Sequence, residues 1–235
     1  MPLLTGVSGF KAITVQDLLA MRRSGLPGIA TMIPDKPEII FQPLFDRVQY
    51  PAAGVASLNF FSNVKGSTQT LNVGGTSTST HIKSLRDTNM EQAGVMSSKG
   101  FIAYGISMAY LPLSTGVTAT AMVNYMDDVQ KIIFGSYIEM KFIDKAYLQI
   151  PLTCIPSHMS FKGALATTSN NVNMIGAGGL GNGIPQQPFS FDPPYLIAPN
   201  ETFSVTLTSD ATALSTSNPI DIQMMLWGYM LRPAQ

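Results

Sequence analysis

The feature that most restricts the fold of this chain is a period of two in its apolar residues, which is clearest near the C-terminus. Apolar and polar side chains alternate strictly over residues 203–208, and a longer alternating run follows at 220–231. In that second run, Ile222, Met224 and Leu226 fall on one side and Met225, Trp227 and Tyr229 on the other. Such alternation is typical of β-strands, whose successive side chains point to opposite faces. Because the last strand is apolar on both sides, we expect a core to bury one side and a partner or the N-terminal segment to bury the other.

The chain from Pro37 onward favours an all-β fold. Its 16 prolines and 20 glycines are spread over the whole length, which favours many short elements joined by turns. The segments with strand-like patterns include 101–111, 131–134, 137–143 and 146–152. In 101–111 the alternation predicts one shared face for Ile102, Tyr104, Ile106, Met108 and Tyr110. About eight strands with long connections predict a two-sheet antiparallel β-sandwich of the jelly-roll type.

The connections between these strands differ in character. Residues 62–100 form a long polar stretch with a short hairpin expected around 69–73, and a Gly/Asn-rich loop is expected at 167–188. Within the sandwich we expect no helix beyond a turn near 122–129.

Residues 1–36 are predicted to be a separate N-terminal arm, which leaves 37–235 for the sandwich. Thr14 begins a capping-box pattern ending at Asp17, and Gly25 follows where helices commonly stop. These signals predict one short amphipathic helix at about 15–24, with Arg22 and Arg23 in its last turn. So short a helix is marginal alone in water, so we expect it to dock on its own sandwich or on a neighbour.

The chain has few charges. Its 14 basic and 14 acidic residues cancel, and charged residues make up 12% of the chain, against about a quarter in a typical soluble protein. Neutrality promotes association, so the chain is predicted to be part of an assembly. The absence of a basic cluster argues against sequence-specific nucleic-acid binding. The lone Cys154 excludes an internal disulfide framework.

Motifs that would indicate catalysis or cofactor binding are weak. Residues 176–181 match G-x-G-x-x-G, but the segment that follows is too rich in proline and glycine for the helix that a dinucleotide site needs. Cys154 and His158 have helical spacing for a metal pair, but Pro151 and Pro156 forbid that helix, so we expect a buried thiol and a loop imidazole. With His81 as the one other histidine, we expect no enzymatic activity, no cofactor, no metal and no small-molecule substrate.

Three stretches resemble the jelly-roll structural proteins of bacterial-virus particles. They are residues 88–94 running into 101–106, then 194–203 with its Pro-Asn corner, and finally 226–233 with its Gly-x-x-x-Arg-Pro ending. The resemblance implies a virion protein made in the host cytoplasm, as a coat protein or as a cement or minor capsid protein. Its partners would be copies of itself and other capsid proteins, and membrane contact stays open.

We therefore expect a subunit interface, and the residues predicted to form it are Leu18, Arg22, Arg23, Met225, Trp227 and Tyr229. The arm helix would dock on a neighbour, and Trp227 and Tyr229 would be contact anchors. An alternative is a lectin-like or adhesin sandwich on a tail or cell surface, with its site in the polar loops 62–100 and 163–188. A cupin-like sandwich enzyme is a weaker alternative, because such enzymes need several metal-binding histidines.

Overall fold

A computed structural model describes residues 37–74, 77–96, 99–112, 119–157, 161–169, 172–180, 187–215 and 218–233, with Gln16, Ala20 and Arg23 from the arm. The strands are β1 (Pro37–Phe41), β2 (Leu44–Tyr50), β3 (Ser57–Phe60), β4 (Thr68–Gly74), β5 (Ser77–Ile82), β6 (Gly100–Pro112), β7 (Ser136–Phe142), β8 (Lys145–Pro151), β9 (Phe161–Ser169), β10 (Val172–Leu180), β11 (Phe189–Ile197), β12 (Phe203–Ser209) and β13 (Ile220–Pro233). One α-helix, α1 (Ala119–Phe134), and a 3₁₀ turn at Leu152–Cys154 complete the described elements.

The first large sheet has the order β1–β13–β6–β11, with every pair antiparallel. β2 also pairs with β13, along the stretch next to that used by β1, from Leu44 opposite Leu226 to Tyr50 opposite Ile220. Pro43 lies between β1 and β2 and has no amide hydrogen for the ladder, so it divides this edge into two short strands. β1 and β2 therefore form one interrupted edge of a sheet that is four strands wide.

The second large sheet has the order β3–β12–β7–β8 and is also antiparallel. Side chains from both sheets meet in one core. Its buried members include Leu44, Met108, Met224 and Leu226 from the first sheet and Ile138, Met140, Val205 and Leu207 from the second. The all-β, antiparallel prediction is confirmed, and the shared core is consistent with the predicted two-sheet sandwich.

A bulge in β6 corrects the predicted alternation of that strand. Trp227 pairs with Gly105 but Gly228 pairs with Ala103, so Tyr104 is an extra residue on β6. A bulge of this kind reverses the facing of every residue beyond it. The core-facing residues are accordingly Phe101 and Ala103 on one side of the bulge and Ile106 and Met108 on the other. The prediction that Ile102 and Tyr104 share the face of Ile106 was wrong.

Helix α1 replaces both the turn expected near 122–129 and the strand expected at 131–134. Tyr125, Val129 and Ile132 are buried at the i, i+4, i+7 spacing of one helix face and belong to the core. The four-residue apolar pattern at 131–134 was too short to distinguish a strand from the end of this helix. Lys131 lies in the last turn and forms an ion pair with Asp127 at 2.7 Å.

Two smaller antiparallel hairpins lie outside the large sheets. β4–β5 is the predicted hairpin around 69–73. β9–β10 occupies much of the segment predicted to be a loop, and Gly176 and Gly178 pair in it with Leu165 and Gly163. The glycine content at this point is therefore compatible with a paired strand.

The polar stretch after β3 is fastened to the sandwich by a buried ion pair. Lys83 Nζ lies 2.5 Å from Asp46 Oδ1, and both side chains are fully buried. The second oxygen of Asp46 accepts the backbone amide of Phe61 at 2.7 Å. Asp46 on β2 thus holds both the start of this stretch and the residue that directly follows β5.

Most of the arm lies outside the described residues. Gln16, Ala20 and Arg23 have helical backbone and are exposed. Their spacing of four and three places them on one face of a helix, inside the segment predicted to be helical. The helix as a whole, and Leu18 and Arg22 with it, lies outside what the structure describes.

Candidate subunit interface

The outer faces of the two large sheets differ in chemistry. The outer face of the second sheet is mainly polar. Besides Tyr137, Ala146 and Pro151 it carries Ser57, Asn59, Glu139, Lys141, Gln149, Ser204, Thr206 and Thr208. These side chains satisfy one another, since Thr206 binds Asn59 at 3.0 Å and Lys141 pairs with Glu139 at 2.5 Å. Such a surface is suited to water.

The outer face of the first sheet is apolar around Tyr229, whereas Arg47, Gln49, Asp221 and Gln223 make it polar towards the other end of β13. An unbroken row crosses all four strands, because Phe41 pairs with Tyr229, Tyr229 with Ile102, and Ile102 with Leu196. Trp227, Met225 and Tyr104 lie beside this row. We call these seven residues the aromatic face: Phe41, Ile102, Tyr104, Leu196, Met225, Trp227 and Tyr229.

The rings of the aromatic face pack against one another. Phe41 stacks on Trp227 with ring centroids 6.2 Å apart and meets Tyr229 edge-on at 5.8 Å. Tyr104 lies against Tyr229 at 5.7 Å. Contacts in this range and geometry stabilise aromatic pairs beyond the area they bury. The rings therefore form a connected layer across β1, β13 and β6.

The polar atoms of the aromatic face do not make it hydrophilic. Trp227 donates its Nε1 hydrogen to Ser107 Oγ on the neighbouring strand at 2.7 Å. Burial, together with the neighbouring Tyr229, raises the pKa of Tyr104 to about 12, so its phenol is uncharged at neutral pH. None of the seven residues contains a carboxylate, an ammonium or a guanidinium group.

This layer is only partly covered. Phe41 is 52% exposed, Met225, Tyr104, Trp227 and Tyr229 are half-buried, and Ile102 is buried. Exposed apolar patches rimmed by polar residues commonly mark interaction sites, and tryptophan and tyrosine are enriched among the residues that contribute most to binding. The aromatic face is thus the candidate interface.

The structure places three of the predicted interface residues together. Met225, Trp227 and Tyr229 share the outer face of β13, as their alternation predicts, and their role in contacts stays a prediction. Arg23 is exposed in the arm. The sequence pattern did not indicate Phe41 and Tyr104. Phe41 reaches the aromatic face through the pairing of β1 with β13, and Tyr104 reaches it through the bulge in β6.

Other sites are poorly supported. Among the described residues, no group of three or more His, Cys, Asp or Glu side chains is arranged to hold a metal. Cys154 is exposed, so the expected buried thiol is wrong, and His158 lies outside the described residues. No helix within the described part is both long and apolar enough to cross a membrane.

Comparison of the chain with protein-family models, with curated protein sequences and with solved structures finds no match.

Proposed function

We propose that this chain is a structural subunit that assembles with copies of itself through the aromatic face. The observation that supports this most is the contrast between two outer faces of one chain. The outer face of the second sheet has mainly polar side chains that suit solvent. The aromatic face, by contrast, leaves Phe41 half exposed and has no charged group among its seven residues. A second copy that covers the aromatic face would remove apolar area from water, and this burial would stabilise the association by about 25 cal/mol per Å².

We also propose that the two sheets form a jelly roll. With β1 and β2 counted as one strand, and the hairpins β4–β5 and β9–β10 set aside, eight main strands remain. Numbered in chain order, the first sheet reads 1–8–3–6 and the second 2–7–4–5. Strand 1 pairs with 8, 2 with 7, 3 with 6 and 4 with 5. A long antiparallel ribbon folded over on itself has this pairing, and the jelly roll is its eight-strand form.

Jelly rolls occur in viral capsids, in lectins and in cupins. The neutral, charge-poor composition favours the first of these, as does the resemblance of residues 88–94 with 101–106, 194–203 and 226–233 to phage structural proteins. The proposed role is therefore a virion protein of a bacterial virus, as coat or as cement or minor capsid protein. Its proposed partners are copies of itself and other capsid proteins.

The arm has a proposed part in this assembly. Leu18 would lie on the helix side opposite the exposed Gln16, Ala20 and Arg23, and would pack on a neighbouring subunit. Arg22 and Arg23 would then be near enough to pair with a neighbour's acidic side chains.

Size-exclusion chromatography with light scattering tests the proposed function. The full chain at micromolar concentrations is expected to give discrete oligomers or closed shells, whereas a sharp monomer peak would contradict the proposal. A variant that lacks residues 1–36 is expected to keep its β-sheet circular dichroism but to assemble less. Unchanged assembly of that variant would show that the arm has no part in it.

A further inference from the structure

A polar cleft lies between the β4–β5 hairpin and the first sheet, on the same side of that sheet as the aromatic face but towards the other end of β13. Its volume is about 210 Å³, and its walls include Arg47 on β2, Asp221 on β13, and Gln69 and His81 on the hairpin. Pockets for drug-sized ligands typically measure about 300–1,000 Å³, so this cleft has room for one smaller molecule.

The cleft walls are held in place before any ligand binds. Asn72 donates its backbone amide to Gln49 Oε1 at 2.6 Å, which ties the hairpin to β2. Arg47 donates to Asp221, with Nε 3.0 Å from Oδ2, and its Nη1 lies 4.0 Å from Asp87 Oδ1. Arg47, Asp221 and Asp87 thus have little freedom left to lose, and such preorganisation favours binding.

Asp87 is the most strongly held of these groups. Its Oδ2 accepts the backbone amide of Ser84 at 2.8 Å and lies 3.0 Å from His81 Nε2. Burial acts to raise the pKa of Asp87, but these hydrogen bonds outweigh it and hold the pKa below its ordinary value. Asp87 is therefore an ionised acceptor at neutral pH.

The mixture of charges in the lining restricts the chemistry of a ligand. An anion would meet the carboxylates of Asp87 and Asp221, and a cation would meet the guanidinium groups of Arg47 and Arg86. A hydroxyl group can donate to the carboxylates and accept from the guanidinium and amide groups. Leu71 adds an apolar contact beside these polar groups.

We propose that this cleft binds a single neutral sugar unit, through hydroxyl groups that bridge its acidic and basic side chains. The inference is independent of the proposed assembly, because the cleft is built from one chain and does not include the aromatic face. On a virion, such a site would recognise a neutral sugar of a surface polysaccharide.

Saturation-transfer difference NMR on the full chain tests this, because it detects the small ligand whatever the size of the assembly. The probes are glucose, galactose, mannose and N-acetylglucosamine, each at millimolar concentration, with inorganic phosphate as a competitor. At least one sugar is expected to show saturation transfer that phosphate does not displace. Gln69→Ala and Arg86→Ala are each expected to weaken that binding roughly fivefold, the effect of one lost hydrogen bond of about 1 kcal/mol.

Gln130→Ala is the matched control, since Gln130 is exposed on α1 and does not line the cleft. It is expected to leave the signal unchanged, and circular dichroism checks that every variant is folded. The proposal is overturned if no sugar gives a signal, if phosphate displaces the sugar, or if the two cleft variants bind as tightly as the control. Each of these results leaves the assembly proposal intact, because light scattering measures assembly separately.

Discussion

Trp227 on β13 donates its indole hydrogen to the hydroxyl of Ser107 on β6, with Nε1 and Oγ 2.7 Å apart. Ser107 is fully buried, so the one polar atom of the indole is satisfied within the sheet. The apolar part of the ring remains half-buried beside Phe41 and Tyr229. This side chain is therefore oriented for contact with another apolar surface.

Phe41→Ser is expected to weaken self-association. Because Phe41 is 52% exposed, its replacement should lower the free energy of unfolding only slightly. Loss of an interface anchor, by contrast, weakens the free energy of association by about 2 kcal/mol, which is roughly a thirtyfold decrease in the association constant. Sedimentation velocity over a concentration series measures the change.

The matched control is Tyr137→Ser, which removes an aromatic ring of similar exposure, 45%, from the outer face of the second sheet. It is expected to assemble like the unmodified chain. Equal weakening by the two substitutions would argue against the aromatic face as the contact surface.

Gly228→Ala is expected to destabilise the fold at the β6 bulge. A methyl group at this position would collide with the backbone carbonyl oxygen of Ile102 and with the Phe101 ring. Because one obstacle is backbone, relief requires the strands to separate, and overpacking of this kind typically costs about 1–3 kcal/mol. Urea denaturation followed by circular dichroism gives the free energy of unfolding. Ser204→Ala, at an exposed position of β12, serves as control, and an equally small effect of the two substitutions would contradict the predicted clash.

The sequence predicted best the strands whose alternation is uninterrupted. Residues 203–208 and 220–231 correspond to β12 and β13, and the outward positions of Met225, Trp227 and Tyr229 follow from alternation alone. The β6 bulge was not predictable in this way, because the extra residue shows only against a partner strand. The alternation, when counted across the bulge, therefore assigned Tyr104 to the wrong face of β6.

The remaining parts of the site depend on long-range pairing. Phe41 joins the aromatic face only because β1 pairs with β13, almost two hundred residues away in the chain. The cleft likewise needs the β4–β5 hairpin folded over β2 and β13, and no local pattern specifies that placement. Helix α1 was missed because its buried stripe of Tyr125, Val129 and Ile132 overlaps a run with strand-like residues.

Lys83→Met and Asp46→Leu are each expected to destabilise the fold strongly. Removal of one partner of a buried ion pair leaves an uncompensated charge, which typically costs about 3–5 kcal/mol. The double variant is expected to lose less stability than the two single variants lose together, because neither charge then remains buried. Thermal unfolding of the four proteins gives the double-mutant cycle, and strict additivity would show that the two side chains are not coupled.

Stability is expected to fall at alkaline pH. Burial raises the pKa of Tyr104 to about 12 and also raises the pKa values of Tyr110 and Tyr125, against about 10 in an unfolded chain. Above about pH 10 the unfolded state loses these protons first, so the free energy of unfolding decreases as pH rises toward the folded-state values. Melting temperatures across this range measure the effect, and Tyr104→Phe should show a shallower decrease. A melting temperature that is constant across this range would contradict the assigned shifts.

The most direct test uses Trp227, the single tryptophan of the chain, as a probe within the aromatic face. Iodide quenching of its fluorescence is measured over a dilution series while light scattering records the mass of the particles. If subunits associate through this face, Trp227 becomes less accessible to iodide over the same concentration range in which the mass increases. Assembly that proceeds while the quenching of Trp227 stays constant would contradict the claim that this face joins the subunits.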